Sequence, residues 1–347
     1  MILIKLFLSW IFGVIVYLRN FAYDRGFFST IKLSRSVISV GNIAVGGTGK
    51  TPVVIAICEF LVGHHCRCAI LTRGYKGGLK SQHWMVLVNG KRVAGNAPTD
   101  ARPDEAFMQS KALLNVPVIV GARRGLAAKQ WVEHCKRTEQ AEPVVWILDD
   151  GFQHRQIYRD LNIVLLDSVK PFGQLMPLDR FREPPESLCR ADVVMFSVKD
   201  ENFPGKGDRA IPHLFNPKIQ VCDLSFEYFE PVLVSSRMQE QPSSFDYASH
   251  YVAACGIANP DQFMRSLANS KIDIVRSVFK NDHEKFKSED FLQIDWNSVK
   301  GIVTTEKDFA RSEELFRSLN TDVYVRPVGV KLPQSSLDLI LTAIGNS

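Results

Sequence analysis

The run Gly46-Gly47-Thr48-Gly49-Lys50-Thr51 constrains the fold more than any other part of this sequence. It stands between an apolar run, residues 36–40, and an amphipathic stretch, residues 51–62. A glycine-rich turn between a strand and a helix can point successive backbone N–H groups inward, a cradle for phosphate. In that arrangement Lys50 reaches the β- and γ-phosphates of a nucleotide and the Thr51 hydroxyl ligates Mg²⁺. Pro52 falls where the helix begins, a position that loses no hydrogen bond. Gly46, Gly47, Thr48, Gly49, Lys50, Thr51 and Pro52 are therefore the expected nucleotide-binding residues. The pattern asks for glycine at position 44, where this chain has Ala44, which the loop accommodates if its backbone angles there are ordinary.

The rest of the chain has the alternation such a turn requires. Residues 68–72, 116–120, 144–149, 162–167 and 191–197 read as buried strands. Residues 104–114 and 123–137 read as helices between them. This predicts a P-loop NTPase-like α/β fold: a mostly parallel sheet covered by helices on both faces. Residues 201–217 are rich in proline, glycine and charge and mark a domain edge. From residue 251 a smaller α/β pattern begins, with strands at 251–255, 274–279, 301–305 and 322–326 and a helix at 261–268. The expected domains are 1–28, 29–215, a linker of extended strands at 216–250, and 251–347.

Residues 1–18, MILIKLFLSWIFGVIVYL, carry Lys5 as their only charge. As a helix they reach about 27 Å, near the thickness of a bilayer's hydrocarbon core. A cleaved signal peptide and a helix lying in one leaflet are the competing readings. The segment has no small-x-small cleavage site and continues into bulky Phe21, Tyr23, Phe27 and Phe28. Arg19, Arg25, Lys32 and Arg35 follow it, which places the remainder in the cytoplasm by the positive-inside rule. The expectation is an uncleaved membrane anchor.

A net charge of +5 spread over 347 residues suits an acidic ligand or an anionic lipid surface. It is too small to argue for nucleic acid, and no nucleic-acid-binding pattern accompanies it. The seven cysteines lack paired spacings and read as reduced thiols. His64-His65-Cys66-Arg67-Cys68 has no second cluster to complete a zinc shell. No obligatory protein partner is evident.

A P-loop needs a second acidic element, and the strand at 144–149 ends in Asp149-Asp150. Carboxylates at a strand's C-terminal edge lie where ligands bind in open α/β sheets. The sequence Asp149-Asp150-Gly151-Phe152-Gln153-His154 resembles the DDGFQH signature of the tetraacyldisaccharide 4'-kinases. Other stretches match that family in the same order: Ser39-Val40-Gly41-Asn42 before the loop, Thr72-Arg73-Gly74-Tyr75, Asp104-Glu105, Arg182-Glu183-Pro184, Asp282-His283 and Thr305-Glu306-Lys307-Asp308. Three stretches depart: the family's PAGPLREP reads Pro177-Leu178-Asp179-Arg180-Phe181-Arg182-Glu183-Pro184, which loses the glycine turn, its GDE reads Pro103-Asp104-Glu105, and its Ser-Arg-Gly-Tyr reads Thr72-Arg73-Gly74-Tyr75, which keeps the hydroxyl.

The resemblance implies transfer of the γ-phosphate of ATP to the 4'-hydroxyl of a tetraacyldisaccharide 1-phosphate, a lipid A precursor, on the cytoplasmic face of the bacterial inner membrane. It implies Asp104 as general base, His283 of the second domain paired with it, and Lys50 acting on the transferred phosphate. Thr51, Asp149, Asp150 and Glu183 are the candidate Mg²⁺ ligands. Arg73, Tyr75, Arg123, Arg124, Gln153 and His154 are the candidate acceptor-site residues, with Arg155 a further arginine able to grip the substrate's phosphate.

Two other classes remain readable in the residues. Partition-type switch ATPases carry a second lysine before the glycine pair, where this chain has Val45. A GTPase should carry an NKxD-type motif, and Thr305-Glu306-Lys307-Asp308 has its lysine out of register. A non-enzymatic membrane adaptor would not need Lys50, Thr51 and both aspartates intact.

Overall fold

The computed structural model describes residues 2–74, 79–198, 208–236, 244–257, 259–282 and 284–345. The chain divides into two compact units, one of Met1–Ser225 with Val330–Ser347 and the other of Phe226–Gly329.

The first unit opens with α1 (Ile2–Asp24), followed by β1 (Ser36–Asn42), α2 (Lys50–Gly63) and β2 (Cys68–Thr72). A hairpin of β3 (Trp84–Val88) and β4 (Lys91–Gly95) comes next, then α3 (Asp104–Ala112), β5 (Val118–Gly121) and α4 (Arg124–Arg137). Strands β6 (Val145–Asp149), β7 (Leu161–Asp167) and β8 (Val193–Val198) follow, with the short α5 (Ile211–Phe215) before β9 (Gln220–Tyr228).

The second unit contains β10 (Val232–Ser235), β11 (His250–Cys255), α6 (Pro260–Asn269), β12 (Asp273–Phe279) and β13 (Gly301–Thr305). It continues through α7 (Glu306–Arg311), α8 (Glu313–Ser318) and β14 (Asp322–Arg326). The chain then runs through β15 (Val328–Lys331) to α9 (Gln334–Gly345).

Ten strands form one sheet in the order β15-β9-β8-β7-β1-β6-β2-β5-β3-β4. Every pairing from β9 across to β5 is parallel, and the β3–β4 hairpin adds an antiparallel edge. β1 and β6, the central pair, are buried at every position. Strands covered on both faces carry no polar-apolar alternation, so these read as continuous apolar runs. On one face Val37, Leu71, Trp146 and Leu148 pack with Ala128 and Trp131 of α4. A second cluster gathers Ile43, Phe152, Val164, Phe181 and Phe196 around the ends of β1 and β7. The second unit has a five-stranded sheet, β10-β14-β13-β11-β12, parallel except for β10.

The expected α/β class therefore holds, with two differences. The β3–β4 hairpin was not anticipated, because an edge ribbon with Lys91 and Arg92 exposed lacks the buried apolar pattern of the central strands. The expected second domain, 251–347, also needs correction, since Val330–Ser347 belongs to the first unit. There Ser36 donates to Ala343 O at 2.8 Å, and Ile340 of α9 is fully buried. An amphipathic helix shows in sequence that it must cover something, but not which sheet.

Helix α1 is 23 residues, roughly 34 Å, and is long and apolar enough to cross a membrane. Only Ser9 and Val16 along it are buried, while Leu3 is 76% and Trp10 66% exposed.

Gly41, near the end of β1, is where the fold leaves no room for a side chain. A Cβ there would meet the backbone nitrogen and Cβ of Phe152 at 2.6 Å. Phe152 is itself in the core, one residue beyond the turn that follows Asp150. Gly41→Ala is expected to destabilise the protein by about 1–3 kcal/mol through this overpacking. A lowered midpoint with unchanged slope in urea unfolding would show it, and an unchanged midpoint would refute the close approach.

Candidate active site

The loop between β1 and α2 is built as the sequence requires. Gly46 and Gly49 have φ of 117° and 83°, left-handed values that a side chain would strain. Gly49 caps α2 without a side-chain hydrogen bond, so the helix begins at Lys50 with its N–H groups turned to the loop. Thr48 is fixed from two sides: its hydroxyl accepts from Asn42 Nδ2 at 2.9 Å and its carbonyl from Ser197 Oγ at 2.5 Å. Gly47, just before Thr48, is exposed, and Thr51 and Pro52 sit half-buried in the first turn of α2. Ala44 adopts no left-handed angle and bridges Phe181 instead, which accounts for a residue other than glycine there.

The stretch that loses the family's glycine turn is what flanks this loop. Val45 N donates to Arg180 O at 2.7 Å, and Arg182 N and Glu183 N both donate to Ile43 O, at 2.7 and 3.2 Å. The 180–183 backbone thus runs beside the phosphate loop without the glycine turn.

Asp150 lies at the centre of the polar network. It has a left-handed backbone, φ 47°, directly after β6. Arg182 grips its carboxylate with two hydrogen bonds, 2.9 and 2.8 Å, and Lys50 Nζ lies 3.5 Å away. Arg182 also donates to the Asn42 side chain. Burial acts to raise the Asp150 carboxyl, but the Arg182 hydrogen bonds and the charges of Lys50, Arg182 and Arg124 outweigh it. The group is held well below the usual carboxylate range.

Asp149 is a neighbour with the opposite electrostatics. It is 4% exposed and accepts from Gln109 Nε2 at 2.9 Å and from the Thr72 hydroxyl at 3.4 Å. Burial, reinforced by the negative charge of Glu105, pushes it up to about 6 despite the Gln109 hydrogen bond. Asp104 and Glu105 form the first turn of α3, the helix that also supplies Gln109. The structure thus brings α3, the end of β6 and the phosphate loop to one place.

Other candidate residues have partners within the fold. Glu183, a candidate Mg²⁺ ligand, faces α1 and Arg190. It is fully buried, with Arg19 Nη2 at 3.0 Å on one oxygen and Asn20 Nδ2 at 3.2 Å and Arg190 on the other. Arg124, a candidate for gripping substrate, is 4% exposed and donates to the carbonyls of Asp149 and Asp150 at 2.9 and 3.2 Å. Arg155 is turned away to α1, where it pairs with Asp24 at 2.5 Å.

Arg73 and Arg123 are exposed. Arg73 nevertheless adds to the positive field at Arg124 and His154. Gln153 donates to Asn42 O at 2.7 Å. His154 is lowered to about 3 by burial and by Arg124, Arg159 and Arg73, so it is neutral at physiological pH. Tyr75 and His283 lie outside the described residues.

The sequence reading missed Asn42, Gln109 and Arg182 as members of the site. A buried polar residue ending an apolar strand was the available signal for Asn42. Gln109 offered none, because one glutamine in a helix is ordinary.

Among the described residues no three His, Cys, Asp or Glu side chains converge to form a metal cage. Mg²⁺ does not require one, since it is bound through one or two carboxylates together with phosphate oxygens and water. Asp149, Asp150 and the Thr51 hydroxyl are a hard-oxygen set of that kind. The buried, unpartnered Oε1 of Gln109, on the side chain that holds Asp149, adds a further polar acceptor to the set. The residues fit the ion.

A phosphate loop, a lysine at the start of the next helix and paired carboxylates at the adjoining strand end define a P-loop phosphotransferase site. The family model for tetraacyldisaccharide-1-P 4'-kinase matches residues 2–345. The chain belongs to that family. It is 31% identical over 349 aligned positions to the tetraacyldisaccharide 4'-kinase of Halothermothrix orenii, covering 95% of this chain and 88% of that one. With the Geobacter metallireducens protein of the same name, identity is 34% over 288 positions, 82% of this chain and 79% of that one. A crystal structure of LpxK from Aquifex aeolicus, described as an "apo" form in complex with ATP, superposes with a TM-score of 0.72. It is 28% identical, with 98% of each chain covered.

The two aspartates give a testable electrostatic signature. The folded-state value of Asp149 is raised above the unfolded one, so its ionisation costs stability as pH rises through the window between about 4 and 6. Asp149→Asn is therefore expected to raise the melting temperature of the metal-free protein above pH 6. That gain shrinks through the window and vanishes below about pH 4. Melting curves of both proteins across pH 3.5–8 check it; a gain independent of pH would refute the raised carboxyl.

Proposed function

We propose that this chain transfers the γ-phosphate of ATP to the 4'-hydroxyl of a tetraacyldisaccharide 1-phosphate, yielding ADP and the 4'-phosphorylated lipid. The single observation that carries the reading is the whole-chain family match, residues 2–345, to 4'-kinases of that substrate. The phosphate loop, Lys50 and the two aspartates supply the parts that the reaction needs.

Phosphoryl transfer asks mainly for positioning and for neutralisation of charge on the transferred group. The N–H groups of residues 46–51 hold the phosphate chain, and Lys50 lies over its terminal part. Asp150, itself kept ionised by Arg182, fixes the ammonium of Lys50. Mg²⁺, when bound through Thr51 and the aspartates, would draw charge from the β- and γ-phosphates. Asp104, at the start of α3, is the proposed base that takes the proton of the attacking hydroxyl. His283 is proposed to take part in the same chemistry, as the family resemblance implies. Arg73 and Arg123, both exposed and cationic, are proposed to meet the substrate's 1-phosphate, with Tyr75, Gln153 and the neutral His154 lining the acceptor side.

The apolar α1 supports a membrane location, since an acylated acceptor resides in a lipid surface. We place α1 in the bacterial inner membrane, with the rest of the chain on the cytoplasmic side.

The test is transfer of labelled γ-phosphate from ATP to purified tetraacyldisaccharide 1-phosphate in detergent micelles. Lys50→Ala is expected to lower kcat by at least roughly 100-fold, as loss of a preorganised charge in a phosphate site does. Asp104→Ala is expected to lower it by roughly 10²–10⁴-fold, the range for a general base. A wild-type protein that hydrolyses ATP but never labels the lipid would make the chain a switch-type ATPase instead.

A further inference from the structure

Glu183 occupies a junction. Its neighbour Arg182 carries the two hydrogen bonds that hold Asp150, and the backbone N–H groups of both residues share Ile43 O at the root of the phosphate loop. The two side chains face different partners: Arg182 meets Asp150 and Asn42, Glu183 meets Arg19 and Asn20 of α1 and Arg190. The two side chains thus project from one backbone step anchored at Ile43 O.

A second segment of the site is tied to the same part of the helix. The turn beginning at Asp149 runs on to Arg155, whose guanidinium donates to Asn20 O at 3.0 Å and to Asp24, and lies over the Tyr23 ring. Arg190, the other partner of Glu183, stacks over Phe152 of that turn, 4.4 Å from the ring centre. Farther along α1, contact with the body includes the Ser9 hydroxyl on Leu175 O and the close approach of Gly13 to Leu175. The polar end of α1 thus touches both segments that build the phosphate site, while many apolar side chains along the rest of the helix are exposed.

We propose that Arg19 and Asn20 are positioning residues for phosphoryl transfer, acting through Glu183 on Arg182 and so on Asp150. The apolar helix is then part of the catalytic geometry as well as an anchor. A buried carboxylate demands its cationic partners, so the end of α1 and the 182–183 step are held in one register. The inference rests on the kinase reading above.

The experiment uses the full chain in phospholipid vesicles and compares wild type, Arg19→Ala and Arg19→Lys. Arg19→Ala is expected to lower kcat roughly tenfold or more, as misplacement of a remote support does. KM for ATP should stay within about twofold, because no ATP contact is removed. Vesicle association should be unchanged. The protein should remain folded at the assay temperature, although its melting temperature falls with one partner of buried Glu183 removed, and Arg19→Lys should restore most of kcat. Wild-type kcat in Arg19→Ala overturns the inference. So does a loss confined to KM for the lipid, or a loss that follows the melting temperature and is not rescued by lysine. A wild type that labels no lipid fails the functional reading instead, and the two failures are told apart by that control.

Discussion

The two-pronged hydrogen bond from Arg182 to Asp150 is the interaction on which the rest of the site depends. Asp150 stands where a buried strand ends in a left-handed turn, a conformation that an aspartate tolerates but does not seek. Its carboxylate has to be compensated, and Arg182 does this with matched fork geometry while also holding Asn42 at the end of β1. Asn42 in turn fixes Thr48 within the phosphate loop. A single guanidinium therefore links the acidic strand end, the strand before the loop and the loop itself.

The adjacent aspartates show how environment separates identical side chains. Asp150 faces Arg182 and Lys50 and is held ionised. Asp149 points into the sheet-helix interface toward Gln109 and Thr72, with Glu105 nearby, and is pushed up to about 6. Two carboxyl groups one residue apart thus differ in readiness to carry charge. A divalent cation beside them would reverse the penalty on Asp149, because the ion's own charge dominates its surroundings.

The ring of arginines around this centre divides by burial. Arg124 and Arg190 face inward, to carbonyls and to Glu183, and serve the framework. Arg73 and Arg123 remain exposed and can meet an anionic ligand. Arginine side chains look alike in a sequence, and only the packing around each decides whether its fork is already filled.

What the sequence determined by itself was local. Glycines before Lys50-Thr51, between an apolar run and an amphipathic one, fix a strand-loop-helix phosphate cradle, because the backbone angles at Gly46 and Gly49 suit little else. The apolar runs that became β1, β6, β7 and β8 were legible because strands buried on both faces leave no alternation to misread. The apolar length of α1 was equally plain. Tertiary structure decided everything that depended on distant partners. It placed Glu183 against α1, 163 residues away in sequence from Asn20, and put Gln109 on Asp149. It also sent α9 back to the first unit, where Ser36 reaches Ala343. The physical reason is common to all three. Burial, compensation of charge and the choice of packing surface are properties of pairs of segments, and a pair exists only once the chain has folded.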